Sequence, residues 1–311
     1  MTPIMEHLAA GEILILDGAM GTEVQKRGAA MDEMIWCAGS IRTSPEIVRA
    51  TREDYIRAGA NVIIANTFGS GPHTLVAAGL ADEVEFYNRR PVELAREARE
   101  HAAERPVWIA GSVSSMCAGI ALEHKPGLED ARASYRQQAE ILAEAGVDFI
   151  MFELMMDRDY ARAAAEAATV TGLPVWVGFS CRIDEAGEVR MFREAHSDPD
   201  SDSAFAEVTD DVMATGGVVA GIMHTELAHV DPALDVLKRH WSGPLMVYAE
   251  DGYEGMPIDW GFHDLVLPDD YAALAKRWVG EGVQAIGGCC CLGVEHIAAL
   301  KRTLPAFRPG A

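Results

Sequence analysis

Short apolar runs recur eight times along the chain, and each ends at a polar or small residue ahead of a segment of helical composition. They cover 13–16, 61–69, 106–112, 147–153, 174–180, 217–224, 244–250 and 283–286. Short β-branched runs of this kind are expected where a strand is buried on both faces, and strict alternation with helices implies parallel pairing. Eight such units in 311 residues predict an α/β fold of the (β/α)8 barrel type. A doubly wound sheet is the other arrangement that the same order allows. Ser44 and Pro45 mark a helix start, and Gly146 marks a helix stop. A helix is read from Pro232 to 240, and 181–202 reads as a polar excursion between the fifth run and the next helix. No linker or shift in composition divides the chain, so residues 1–311 are expected to form one barrel domain.

Charge narrows the partners. A formal net charge of −22 argues against nucleic acid and anionic membrane surfaces, both of which need clustered Lys and Arg. No apolar stretch is long enough to span a bilayer, and the N-terminus lacks the basic and apolar regions of a signal peptide. Three of the six cysteines are contiguous, Cys289-Cys290-Cys291. That spacing does not suit a secreted disulfide framework, and it suggests a reducing, cytoplasmic setting with metal or catalytic use of the thiols. A homo-oligomer stays open.

In a barrel, the chemistry sits where the strands end. Asp17, Asn66, Thr67, Ser112, Glu153, Ser180, His224, Glu250, Cys289 and Cys290 all fall at such ends. Gly287 and Gly288 precede the cysteines and allow the backbone to kink, which two neighbouring cysteines need if they are to face one ion. Two thiolates and one imidazole form a three-ligand set with an open fourth position, a pattern used by catalytic zinc. The plainer alternatives are a buried inert cysteine cluster, a hydrogen-bonded rim histidine, and carboxylates that cap a helix or pair with an arginine.

At this point the sequence resembles the zinc-dependent homocysteine S-methyltransferase family. The resemblance rests on Leu16-Asp17-Gly18-Ala19-Met20-Gly21-Thr22, on Tyr55 and Ala58-Gly59-Ala60 leading to Asn66-Thr67-Phe68, and on Ala110-Gly111-Ser112. It continues through Phe152-Glu153 to Ile286-Gly287-Gly288-Cys289-Cys290 and Glu295-His296-Ile297, and so covers essentially the whole chain. It implies a single barrel, zinc on three protein ligands, and a homocysteine thiol as the fourth. Carried onto this chain, the metal ligands are His224, Cys289 and Cys290. Asp17 and Glu153 act on the substrate and hold its ammonium. Gly18, Thr22, Trp36, Asn66, Thr67, Ser112 and Glu250 complete the substrate site. Two departures stand out. Met223-His224 replaces the family's Asn-Cys, and Tyr248-Ala249-Glu250-Asp251-Gly252 replaces a Tyr-Pro-Asn-containing turn. Cys291 stands where the family usually has glycine. Zinc with two thiolates and a neutral imidazole has net charge 0, against −1 with three thiolates.

The implied chemistry is methyl transfer from a small onium donor, S-methylmethionine, S-adenosylmethionine or a betaine, to a thiol, giving methionine. Trp36 and the aromatics Tyr253, Trp260 and Phe262 are candidates to face a cationic donor, or, for that later loop, to form a lid or an interface. The competing expectations are one module of a split corrinoid-dependent methionine synthase, a zinc hydrolase, or a divergent metal-binding barrel without transfer activity.

Overall fold

The computed structural model describes residues 3–114, 125–192, 203–251 and 265–307. The aromatics Tyr253, Trp260 and Phe262 lie outside them. Among the described residues, ten strands form: β1 (Leu14–Ile15), β2 (Val62–Ile64), β3 (Trp108–Ser114), β4 (Phe149–Met155), β5 (Val175–Phe179), β6 (Cys181–Ile183), β7 (Val189–Met191), β8 (Val219–Glu226), β9 (Leu245–Glu250) and β10 (Val283–Gly288). Eight of them make one parallel sheet in the order β1-β10-β9-β8-β5-β4-β3-β2. A parallel bridge from Leu16 to Val62 returns β1 to β2 and closes the ring. The fold is a (β/α)8 barrel.

Period-2 alternation divides its two cores. Leu14, Leu16, Val62, Ile64, Phe149, Met151, Trp176 and Met246 fill the barrel interior, where the Phe149 and Trp176 rings meet at 4.3 Å. Their neighbours Ile13, Ile15, Ile63, Ile150, Val175, Val177 and Val247 face outward against the helices. The Ala-rich helix Arg158–Thr169 buries Ala161, Ala164, Ala165 and Ala168 on that outer layer. Asp157 starts it by accepting the Asp159 and Tyr160 N–H groups at 3.0 and 3.3 Å, which satisfies two otherwise orphaned donors.

Several local expectations change. The stretch 181–202 contains an antiparallel hairpin, with Cys181 opposite Met191 and Ile183 opposite Val189. Its turn forms because Asp184 Oδ1 accepts the Ala186 and Glu188 N–H groups at 3.0 and 2.8 Å. The helix expected to begin at Pro232 runs instead over Leu227–His240, with Pro232 inside it. Burial of Val230, Ala233, Leu234 and Leu237 on one face outweighs the bond that the proline removes. Ser44 does sit at the N-cap with Pro45 next to it, but its side chain makes no capping bond. No helix among the described residues is long and apolar enough to cross a membrane.

Candidate active site

The barrel mouth is built on irregular backbone. Trp36, Leu154, His224 and Cys291 hold φ of 50°, 53°, 45° and 67°, a region that disfavours side-chain-bearing residues. Two of these mark breaks in the ladder. The β4–β5 register shifts between Phe152 and Met155, and the β8–β9 register shifts between Met223 and Glu226. Such bulges re-aim the side chains beside them; here those are Glu153 and His224. The Met223 carbonyl at the second break accepts the Ser180 hydroxyl at 3.0 Å and the Thr225 hydroxyl at 2.9 Å, while Thr225 Oγ1 accepts the Cys181 N–H at 3.0 Å. Ser180 therefore holds the backbone that presents His224.

The cysteine turn is fastened on both sides. Gly288 N–H donates to the Asp17 carbonyl, Cys289 N–H to the Ala249 carbonyl, and Asp251 N–H to the Cys290 carbonyl. Thr22 Oγ1 accepts the Cys291 N–H at 3.3 Å. Thus held, Cys289 Sγ and Cys290 Sγ lie 3.7 Å apart, and Cys289 Sγ is 3.1 Å from His224 Nδ1. The other ring nitrogen, Nε2, is 3.0 Å from Glu153 Oε2. One donor atom each from His224, Glu250, Cys289 and Cys290 lies within 4.8 Å of the others, and all four residues are buried.

Protons in this cluster are shared by the set rather than owned by single residues. The hydrogen bond with Cys289, followed by the influence of His224, lowers the Cys290 thiol to about 6 against the pull of burial. Burial and the neighbouring thiol hold Cys289 well above the usual range. Burial alone would lower the His224 imidazole, but the hydrogen bonds and charges of Cys290 and Glu153 outweigh it and lift the group to about 10. Burial, helped by the charge of Cys290, lifts Glu250 to about 8.

A pocket opens onto these groups. Its lining includes Gly18, Trp36, Asn66, Glu153, His224, Cys289 and Cys290, all anticipated from the sequence. An aromatic wall runs from Trp36 to Phe68, with ring centroids 5.8 Å apart, and on to the His224 ring at 5.5 Å. Gly21 makes room for it, since a Cβ there would lie 2.1 Å from the Trp36 indole.

Other anticipated residues stand behind the pocket. Asp17 is fully buried. It pairs with Arg52, accepts the Ile64 N–H at 2.8 Å, and accepts the Tyr248 hydroxyl at 3.3 Å. Burial raises it to about 6 in spite of Arg52. The Thr67 hydroxyl donates to the Ser112 carbonyl at 2.7 Å and accepts the Ser112 N–H at 3.1 Å, stitching the loop after β2 to β3. Arg52, Cys37 and Phe68 line the pocket without having been singled out from the sequence as site residues. Arg52 lies in a helix crowded with charges, where nothing in the pattern marks it as buried.

Over residues 14–304 the sequence matches the family described as homocysteine S-methyltransferase. The chain belongs to that family. It is therefore a transferase of the methyltransferase class. The homocysteine S-methyltransferase of Escherichia coli K12 is 30% identical, with 96% of this chain and 97% of that protein aligned. A selenocysteine methyltransferase of Astragalus bisulcatus is 28% identical over 95% of this chain and 93% of its own length. Among solved structures, the metallated form of the E. coli homocysteine methyltransferase MmuM superposes with a TM-score of 0.75 at 27% identity, covering 96% of this chain and 99% of that one. Its metal has a chemical counterpart in this chain. Two vicinal thiols, an imidazole and a carboxylate, all buried and mutually close, suit a soft divalent ion such as zinc.

Proposed function

We propose that this chain moves a methyl group from a small onium donor to the thiol of homocysteine, giving methionine, with zinc held by His224, Cys289 and Cys290. The observation that carries the reading is the Cys289–Cys290–His224 cluster facing a pocket walled by Trp36 and Phe68. A zinc ion on these donors would supply a Lewis acid that keeps the substrate sulfur deprotonated near neutral pH. His224 would ligate through Nδ1, with Glu153 accepting from Nε2–H and fixing the ring. Glu153 lines the pocket, and its remaining lone pairs would suit the substrate ammonium. Asp17 acts one layer back, holding Arg52 and Tyr248 at the pocket wall. The Trp36 and Phe68 faces suit a sulfonium or quaternary ammonium donor through cation–π attraction. As the donor's methyl bond breaks, the new S–CH3 bond forms, and the donor departs with one positive charge fewer.

S-methylmethionine, S-adenosylmethionine and a betaine all fit this description. The plant relative adds selenocysteine as a second acceptor. The free thiols of Cys37, Cys181, Cys289, Cys290 and Cys291 suit a reducing cytoplasm, and we read the chain as one catalytic barrel domain. The test is a methyl-transfer assay of the zinc-loaded protein with homocysteine and selenocysteine against that donor panel. Methionine formed from at least one donor supports the reading. A metal-loaded protein that transfers from none of them leaves a metal-binding barrel without this activity.

A further inference from the structure

Glu250 is the residue of the cluster that the proposed chemistry does not use. It ends β9, the strand that lies between β8, which carries His224, and β10, which leads into Cys289 and Cys290. Three consecutive strands thus deliver four donor residues to one point, with donor atoms within 4.8 Å of one another. The Glu250 side chain is buried, with 7% of the residue exposed. Among the described residues, no Lys or Arg forms an ion pair with it; one carboxylate oxygen instead lies within 4.8 Å of both the Cys289 and the Cys290 sulfur. An acidic side chain taken out of water without a cation is costly, and two further acidic groups, the thiols, crowd the same spot. Glu250 is also absent from the pocket lining, where Glu153 is present. Its position therefore suits an ion among the thiols better than a substrate ammonium in the pocket.

We propose that Glu250 is a fourth protein ligand, completing a set with His224, Cys289 and Cys290 in the substrate-free enzyme; this rests on the metal reading above. The set carries two thiolates, one carboxylate and a neutral imidazole, so a divalent ion leaves it at net −1 instead of the net 0 of the three-ligand set alone. Four protein donors fill a tetrahedral site. With an ion held there, an incoming substrate thiol would take the place of the Glu250 carboxylate, and the freed carboxylate would be the acceptor for the thiol proton.

The test uses the whole substrate-free protein loaded with Co2+. Chelator competition should show Glu250→Gln binding the metal more than about tenfold more weakly than wild type, because a direct donor is worth at least as much as the outer partners of a site. Its visible ligand-field bands should shift as well. The wild-type protein supplies a second readout that needs no variant. Its Co2+ electron paramagnetic resonance signal should not broaden in 17O-enriched water, because no water is bound, and should begin to change only when homocysteine is added. Equal affinity and an unchanged spectrum in Glu250→Gln, or 17O broadening in wild type, overturns the assignment of Glu250 while leaving the three-ligand reading in place. A wild-type protein that takes up no Co2+ or Zn2+ overturns both.

Discussion

His224 faces a thiol with one ring nitrogen and a carboxylate with the other. In the proposed reading, Glu153 would consequently act on the metal through His224 as well as on the substrate. Glu153→Gln should raise the KM for the thiol acceptor and also weaken zinc binding by roughly 10- to 100-fold; chelator competition alongside steady-state kinetics checks both effects. His224 and the cysteine pair were legible in the sequence because each closes an apolar run at the expected end of a strand. The buried partner of Asp17 was not, because an arginine on a charged helix looks the same whether it faces water or the barrel. A second titration effect lies away from the mouth. Burial lowers the His73 imidazole from 6.5 to about 4, and its Nδ1 lies 2.8 Å from the Ser134 hydroxyl. The folded state then binds fewer protons than the unfolded state between those values, so this group's contribution falls as pH drops from about 6.5 to 4, by up to about 3 kcal/mol. Urea unfolding at pH 7.5 and 4.5 should show a smaller pH-dependent loss for His73→Gln than for wild type. Equal losses would remove His73 as the source.

At the scale of elements, the eight barrel strands followed from the apolar runs, since a buried parallel strand needs little besides length and β-branching; their order in the sheet did not, because the same runs also allow a doubly wound sheet. The interruptions of those strands had no such signal. Phe152-Glu153-Leu154 and Met223-His224-Thr225 look like continuous strand, yet the ladder shifts at both. The hairpin β6–β7 was hidden for a related reason, because its three-residue strands are too short to show alternation among charged neighbours. The β8 break depends on the Thr225 hydroxyl, which joins the Met223 carbonyl to the Cys181 N–H. Thr225→Val keeps the shape and removes both bonds. It should destabilise the fold by about 1–3 kcal/mol, the cost of leaving buried backbone groups unpaired, and should weaken metal binding by letting His224 drift. Unfolding midpoints paired with zinc competition measure the two effects. Metal affinity equal to wild type would show that the bulge stands without Thr225.

Across the whole molecule, the imidazole, the Glu250 carboxylate and the two thiols come from one half of the ring, on β8, on β9 and just after β10, while the aromatic wall comes from loops after β1 and β2. A metal would tie three neighbouring strands together at their open ends. Binding to the folded state alone adds about 4 kcal/mol when free zinc is about 1,000 times its dissociation constant. Chelation should therefore lower the thermal midpoint by several degrees, and a scan with and without EDTA checks this. Identical midpoints would mean that the cluster holds no metal under those conditions. The left-handed backbone at His224 bears on any attempt to build this chemistry elsewhere. Copying the histidine and the two cysteines onto the strand ends of a regular barrel would transfer their identities without their aim, because an uninterrupted strand turns every second side chain to the opposite face. The transferable unit is the break together with the hydroxyls of Ser180 and Thr225 that hold it. A redesign that grafts this backbone segment first, and chooses ligands second, starts with the histidine on the correct side of the sheet.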